Sequence, residues 1–92
     1  MKNFAKIFTV GSNDQDILLR IDLNDNQVPE LRVTCWFEEM GFMTINLGVK
    51  DQNDIDAAYA QAELLLEKFN QKRVECIYQT MLDTLDELGY HF

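Results

Sequence analysis

The sequence predicts an α+β fold: a four-stranded, mostly antiparallel β-meander with one long or two C-terminal α-helices packed on one face, a two-layer α/β sandwich. Three observations predict it. Residues 1–50 hold the single proline and three of the four glycines, set between runs in which apolar and polar residues alternate. From Asp51 to Leu88 there is neither Gly nor Pro, and Ala, Leu, Glu, Gln and Lys abound. Within that second half, apolar residues recur at spacings of 4, 3, 4 and 3, the period of a helix. A chain of 92 residues, 47% hydrophobic and 26% charged, suits one ordinary core. Residues 1–92 therefore read as a single domain, with 1–50 the sheet, 51–88 the helical half and 89–92 a tail.

Four strands are legible in order. The first spans about 3–10 and ends at Gly11-Ser12-Asn13-Asp14. The second spans about 16–23, where Ile17, Leu19, Ile21 and Leu23 fall on one face by the two-residue period of a strand. A turn at Asn24-Asp25-Asn26-Gln27 follows, and Pro29, which cannot donate to a ladder, suits the start of the next strand. The third spans about 31–38, with Leu31, Val33, Cys35 and Phe37 inward. Met40-Gly41 connects it tightly to the fourth, about 42–49, with Met43, Ile45, Leu47 and Val49 inward.

The helical half opens at Asn53 or Asp54, either of which can cap orphan N–H groups, while Asp51, Asp54 and Asp56 complement the positive helix start. One apolar series is Ile55, Tyr59, Ala62, Leu66 and Phe69; a second is Val74, Tyr78, Met81, Leu85 and Leu88. The five-residue step between them rotates the stripe by about 140°. Either the chain breaks near Asn70-Gln71-Lys72, or one helix of about 54 Å changes partner there. Gly89 is placed to end the last helix. The expected core is Ile17, Leu19, Ile21, Val33, Cys35, Phe37, Ile45, Leu47, Ile55, Tyr59, Leu66 and Phe69.

Charge excludes some functions. Eight Lys and Arg against sixteen Asp and Glu give a net charge of −8, which argues against direct nucleic-acid binding and against anionic membranes. No window approaches the roughly 18 apolar residues of a membrane span, and no secretory leader is legible, so a cytoplasmic location is expected. Cys35 and Cys76, in apolar-patterned segments without CxxC spacing, read as buried free thiols.

Motifs for chemistry are sparse. Asp22-Leu23-Asn24-Asp25-Asn26-Gln27 matches the first oxygen ligands of a calcium loop, but Gln27 and Val33 stand where that loop needs Gly and a bidentate Glu. The segment reads instead as an Asx-rich hairpin turn. His91, the one histidine, lies past the helix-ending glycine, a poor place for a catalytic base. The four glycines never cluster into a phosphate loop. The sequence thus points away from an enzyme, and to no cofactor and no metal.

Two surfaces remain. If Val33, Cys35 and Phe37 face the helices, then Arg32, Thr34 and Trp36 face away, joined by Leu18, Arg20, Phe42, Thr44 and Asn46, with Phe4 or Phe8 as further candidates. Trp36, Phe42 and Arg32 have the composition of an interface centre. The alternatives are cover by the last helix, by a second copy, or by another protein. The second surface is acidic. Residues 51–92 hold nine carboxylates against Lys68, Lys72 and Arg73, so they carry −6 of the −8. Asp56, Glu63 and Glu67 share a helical face, and Glu75, Asp83 and Glu87 extend the acidic surface.

The expected function is a non-enzymatic acidic protein-binding module that engages a basic protein partner. In its sharpest form it is an inhibitor that mimics nucleic acid and blocks a basic nucleic-acid-binding protein, as small acidic anti-restriction and anti-CRISPR proteins of phages do. That parallel is one of size and charge, with no shared motif. The alternative is a homo-oligomeric assembly or adaptor protein, a homodimer in its simplest form, using the Trp36–Phe42 sheet face or the C-terminal helix.

Overall fold

The computed structural model describes residues 4–37, 41–50 and 53–89. Four strands, β1 (Ala5–Val10), β2 (Gln15–Leu23), β3 (Pro29–Phe37) and β4 (Gly41–Leu47), precede two helices, α1 (Ile55–Lys68) and α2 (Gln71–Glu87). The sheet is antiparallel throughout, in the order β1-β2-β3-β4, and is the meander the alternation predicts. Pro29 opens β3 opposite Leu23, the last residue of β2.

Local chemistry fixes the turns. The Asn24 Oδ1 accepts from the backbone N–H groups of Asn26 at 2.8 Å and Val28 at 3.0 Å. Gln27 takes the left-handed conformation, φ 63°, that closes the turn. Asp22 Oδ2 is engaged by Arg20 and Arg32. The oxygens of the calcium-like stretch therefore hold a hairpin together, the Asx-turn reading. At the other end of β2, Gly11 sits at φ +73° with the Tyr78 ring close above it.

The helical half is two helices. Asn70 has extended backbone and its Oδ1 accepts from Arg73 N–H at 2.9 Å, so it caps a new helix directly after α1 ends at Phe69. Asp54 caps α1, its Oδ1 accepting from Asp56 and Ala57 N–H. Gly89 takes φ +92° just past the end of α2, as its position predicts. The Met40 turn residue, Asp51, and the Tyr90, His91 and Phe92 tail lie outside the described residues.

Both helices lie on one face of the sheet. α1 covers β2 and β3, and α2 packs on β1 and reaches β3, where Tyr78 stacks on Phe37 with ring centroids 6.2 Å apart. The main core joins Val10, Ile17, Leu19, Leu31, Val33, Cys35 and Phe37 to Leu66, Val74, Met81 and Leu85. A smaller cluster seats Ala58 and Ala62 on Val28 and Val49. The half-buried Lys6 side chain (its strand position faces the helices) ends in an ammonium that donates to the Leu66 carbonyl at 3.1 Å.

Two expected burials, Ile55 and Cys76, are corrected, and two residues of the apolar series, Leu23 and Leu88, stand in water. Ile55, placed in the core by its spacing, is 49% exposed. It shares the angular face of Ala58 and Ala62, but occupies the first turn of α1, beyond the Val28–Val49 cluster that seats the helix. Leu88 is exposed for the same reason at the far end, one turn past Leu85. Leu23 is exposed on the last rung beside the turn. Cys76 is exposed, because two residues beyond the buried Val74 is about 200° round the helix. Cys35 is buried as expected.

Candidate functional site

With both helices on one side, no described element covers the other face of the sheet, called the bare face below. Its cross-strand rows follow from the register. The central row is Ile7, Leu18, Thr34 and Thr44; on one side lies Ala5, Arg20, Arg32 and Asn46. On the other side lie Thr9 with Asp16, and Trp36 with Phe42. Trp36 and Phe42 pack edge to face with centroids 4.9 Å apart, yet Phe42 and Ile7 are each 68% exposed and Trp36 is 47% exposed. Exposed aromatic residues of this kind are enriched at interface centres, while Arg32 stands on the same face but at its other end, about 13 Å along β3.

The polar end of this face is ordered. Asp22 lies between the two arginines, paired with Arg20 and, at 3.0 Å, with Arg32. Arg32 also donates to the Asn46 side chain at 3.3 Å. The Arg20 hydrogen bond, then the Leu23 N–H, hold the Asp22 carboxyl below its ordinary 3.8. At the aromatic end, a shallow hollow of about 390 Å³ lies between Ile7, Leu18, Trp36 and Phe42, rimmed by Asp14 and Asp16.

The sequence placed Arg32, Trp36 and Phe42 together, and the structure does bring them onto one face. It corrects the expected contribution of the first strand. Phe8 pairs opposite Ile17 and turns to the helices, and Phe4 precedes the strand, so neither joins the aromatic patch. Ile7, opposite Leu18, joins it instead. Sequence reasoning missed Ile7 because Lys6 falls on the buried side of β1, which breaks the apolar alternation.

The acidic residues are split between two helices. Asp56, Glu63 and Glu67 lie on α1, about 120° round from the stripe made by Ala58, Ala62 and Leu66. Asp56 and Glu67 are exposed and Glu63 is half-buried. On α2, Glu75, Asp83 and Glu87 are all exposed. Glu75 and Asp83 accept side-chain amides from Gln71 and Gln79, one turn earlier, at 3.1 and 2.9 Å. A neutral amide orders a carboxylate without cancelling its charge. The layer is not uniform: Lys50 and Lys68 flank an apolar hollow of about 350 Å³ beside Leu64 and Leu65.

The cysteines complete the inventory. Burial pushes the Cys35 thiol up to about 11, the opposite of what a nucleophilic thiolate needs. No helix among the described residues is long and apolar enough to cross a membrane. No family model matches the sequence, and comparison with curated proteins and with solved structures likewise yields no match.

Proposed function

We propose that this chain is a non-enzymatic protein-binding module whose acidic helical layer engages a basic partner. The observation that carries the reading is the segregation of charge between layers. Among the described residues, the helical half holds eight carboxylates and three cations, whereas the sheet half holds five and four. Charge gathered on one side of a two-layer molecule steers and orients an oppositely charged partner. In the sharpest form of this reading, the partner is a nucleic-acid-handling protein whose basic groove the helices occupy, carboxylates one turn apart standing about 6 Å from one another.

The test is capture of partners by the tagged chain, followed by direct titration of the purified partner against wild type and the Glu63→Lys/Glu67→Lys double variant. The reading expects a basic protein whose affinity collapses in the double variant and falls steeply with salt. Equal affinity for both proteins overturns it.

A second reading, an assembly unit built on self-association, is favoured by a different observation. Trp36, Phe42 and Ile7 remain exposed on the face that neither helix covers.

A further inference from the structure

The bare sheet face is polarised along its strands. One end carries Arg20 and Arg32, the middle row is Ile7, Leu18, Thr34 and Thr44, and the other end carries Asp14, Asp16, Trp36 and Phe42. Two such faces can stack about 10 Å apart with their strands aligned, as in a β-sandwich. Two twofold axes, parallel to the sheets and midway between them, achieve that. An axis along the strands sets Arg20 and Arg32 of one copy over those of the other, like charge on like. An axis across the strands, through the middle row, exchanges the two ends.

We propose that a second copy of this chain covers the face through this crossing twofold, an inference that rests on the assembly reading. Ile7 and Leu18 then meet their own copies at the centre. Arg20 lies over Asp16 of the second copy, and Arg32 over its Trp36. The acid-rimmed hollow between Ile7, Leu18, Trp36 and Phe42 has the form that receives Arg20: apolar walls for the stem and Asp14 and Asp16 for the head. Arg32 over an indole gains a cation–π contact. The interface is isologous, so each of these contacts is made twice.

Size sets the strength. Four strands about 4.8 Å apart and seven residues at about 3.3 Å give a projected face of roughly 440 Å². Side-chain relief adds accessible area to this, but the face remains smaller than the about 800 Å² per partner of a standard interface. The dimer is therefore concentration-dependent, and it leaves both acidic helical layers outermost.

Sedimentation velocity on the full chain across a range of concentrations tests this. The expected result is a shift from the 10.8 kDa monomer to twice that mass. Phe42→Asp abolishes the shift while its circular dichroism stays native, because Phe42 is 68% exposed. Asp16→Arg and Arg20→Asp each weaken association at least tenfold, and the double variant restores it. Within one chain residues 16 and 20 stand about 13 Å apart on β2, so rescue reports contact between copies. A monomer at every concentration overturns both the assembly reading and this interface. A dimer that ignores Phe42→Asp, or that the double variant fails to restore, overturns the proposed face or register while leaving self-association standing.

Discussion

Truncating Leu66 and Ile55 to alanine in parallel probes how the helical layer is seated. Both lie on the same angular face of α1, and both are large apolar residues. Leu66 is 1% exposed within the main core, against strand residues of the sheet, whereas Ile55 is 49% exposed. A fully buried Leu→Ala loses the transfer energy of its methyl groups and leaves a cavity, about 2–5 kcal/mol in all. Strand neighbours tied into a ladder relax little, which places Leu66→Ala at about 3–4 kcal/mol. Ile55 gives up about half of its area to water already, so Ile55→Ala costs about 1 kcal/mol or less. For a domain of this size, about 1 kcal/mol moves the midpoint by about 4–8 °C, so Leu66→Ala lowers Tm by roughly 12 °C or more. Urea unfolding followed by far-ultraviolet circular dichroism reads both variants, with slopes expected to match wild type. Equal losses in the two variants refute the seating of α1 described above.

Further outcomes follow from single contacts. A thiol reagent applied to the native protein modifies Cys76 rapidly and Cys35 only on unfolding, because Cys35 is buried and its thiol is pushed up to about 11; mass spectrometry of the labelled peptides reads the difference. Asn70→Ala costs about 1 kcal/mol by removing the cap of α2, measured by the same unfolding transition. Gly11→Ala destabilises by about 1–2 kcal/mol, since φ is +73° and a Cβ there meets the Tyr78 ring at 3.2 Å; Gly89→Ala, with open space around it, incurs the backbone strain alone. The Asp22 carboxyl is held below its ordinary 3.8, so its contribution to stability is complete above that pH and is lost as pH falls through its lower folded value. In Asp22→Asn, acid titration of the unfolding midpoint shows a shallower decline below pH 3.8 than wild type.

The parts of this fold that were legible in the sequence are those set by period. Alternation through Ile17, Leu19, Val33, Cys35 and Phe37 assigned both faces of the central strands, and the register bears this out. Spacing alone leaves the break between helices open. Asn70 decided it through a side-chain cap that competes with continued helix. Period could not show where the platform under a helix stops, which is why Ile55 and Leu88 sit on the right face and yet in water. Nor could it read β1, where Lys6 occupies a core-side position by sending its ammonium to the Leu66 carbonyl. That exchange hid Ile7 from the bare face. Arg32, Trp36 and Phe42 were legible because they stand on strands whose neighbours alternate cleanly, while the pairing of Asp22 with Arg32 is a diagonal contact between β2 and β3 that depends on register rather than on spacing within a strand.

The central claim is that the molecule has two faces with separate duties, an acidic helical layer for a basic partner and a bare sheet face for a second copy. One titration tests it most directly: affinity of the captured partner for wild type, for Glu63→Lys/Glu67→Lys and for Phe42→Asp, all at one salt concentration. The account predicts that the charge-reversed chain loses the partner while Phe42→Asp binds it within about twofold of wild type, allowing for lost avidity. A partner that ignores the charge reversal and is lost with Phe42→Asp contradicts that division and assigns the sheet face to the partner instead.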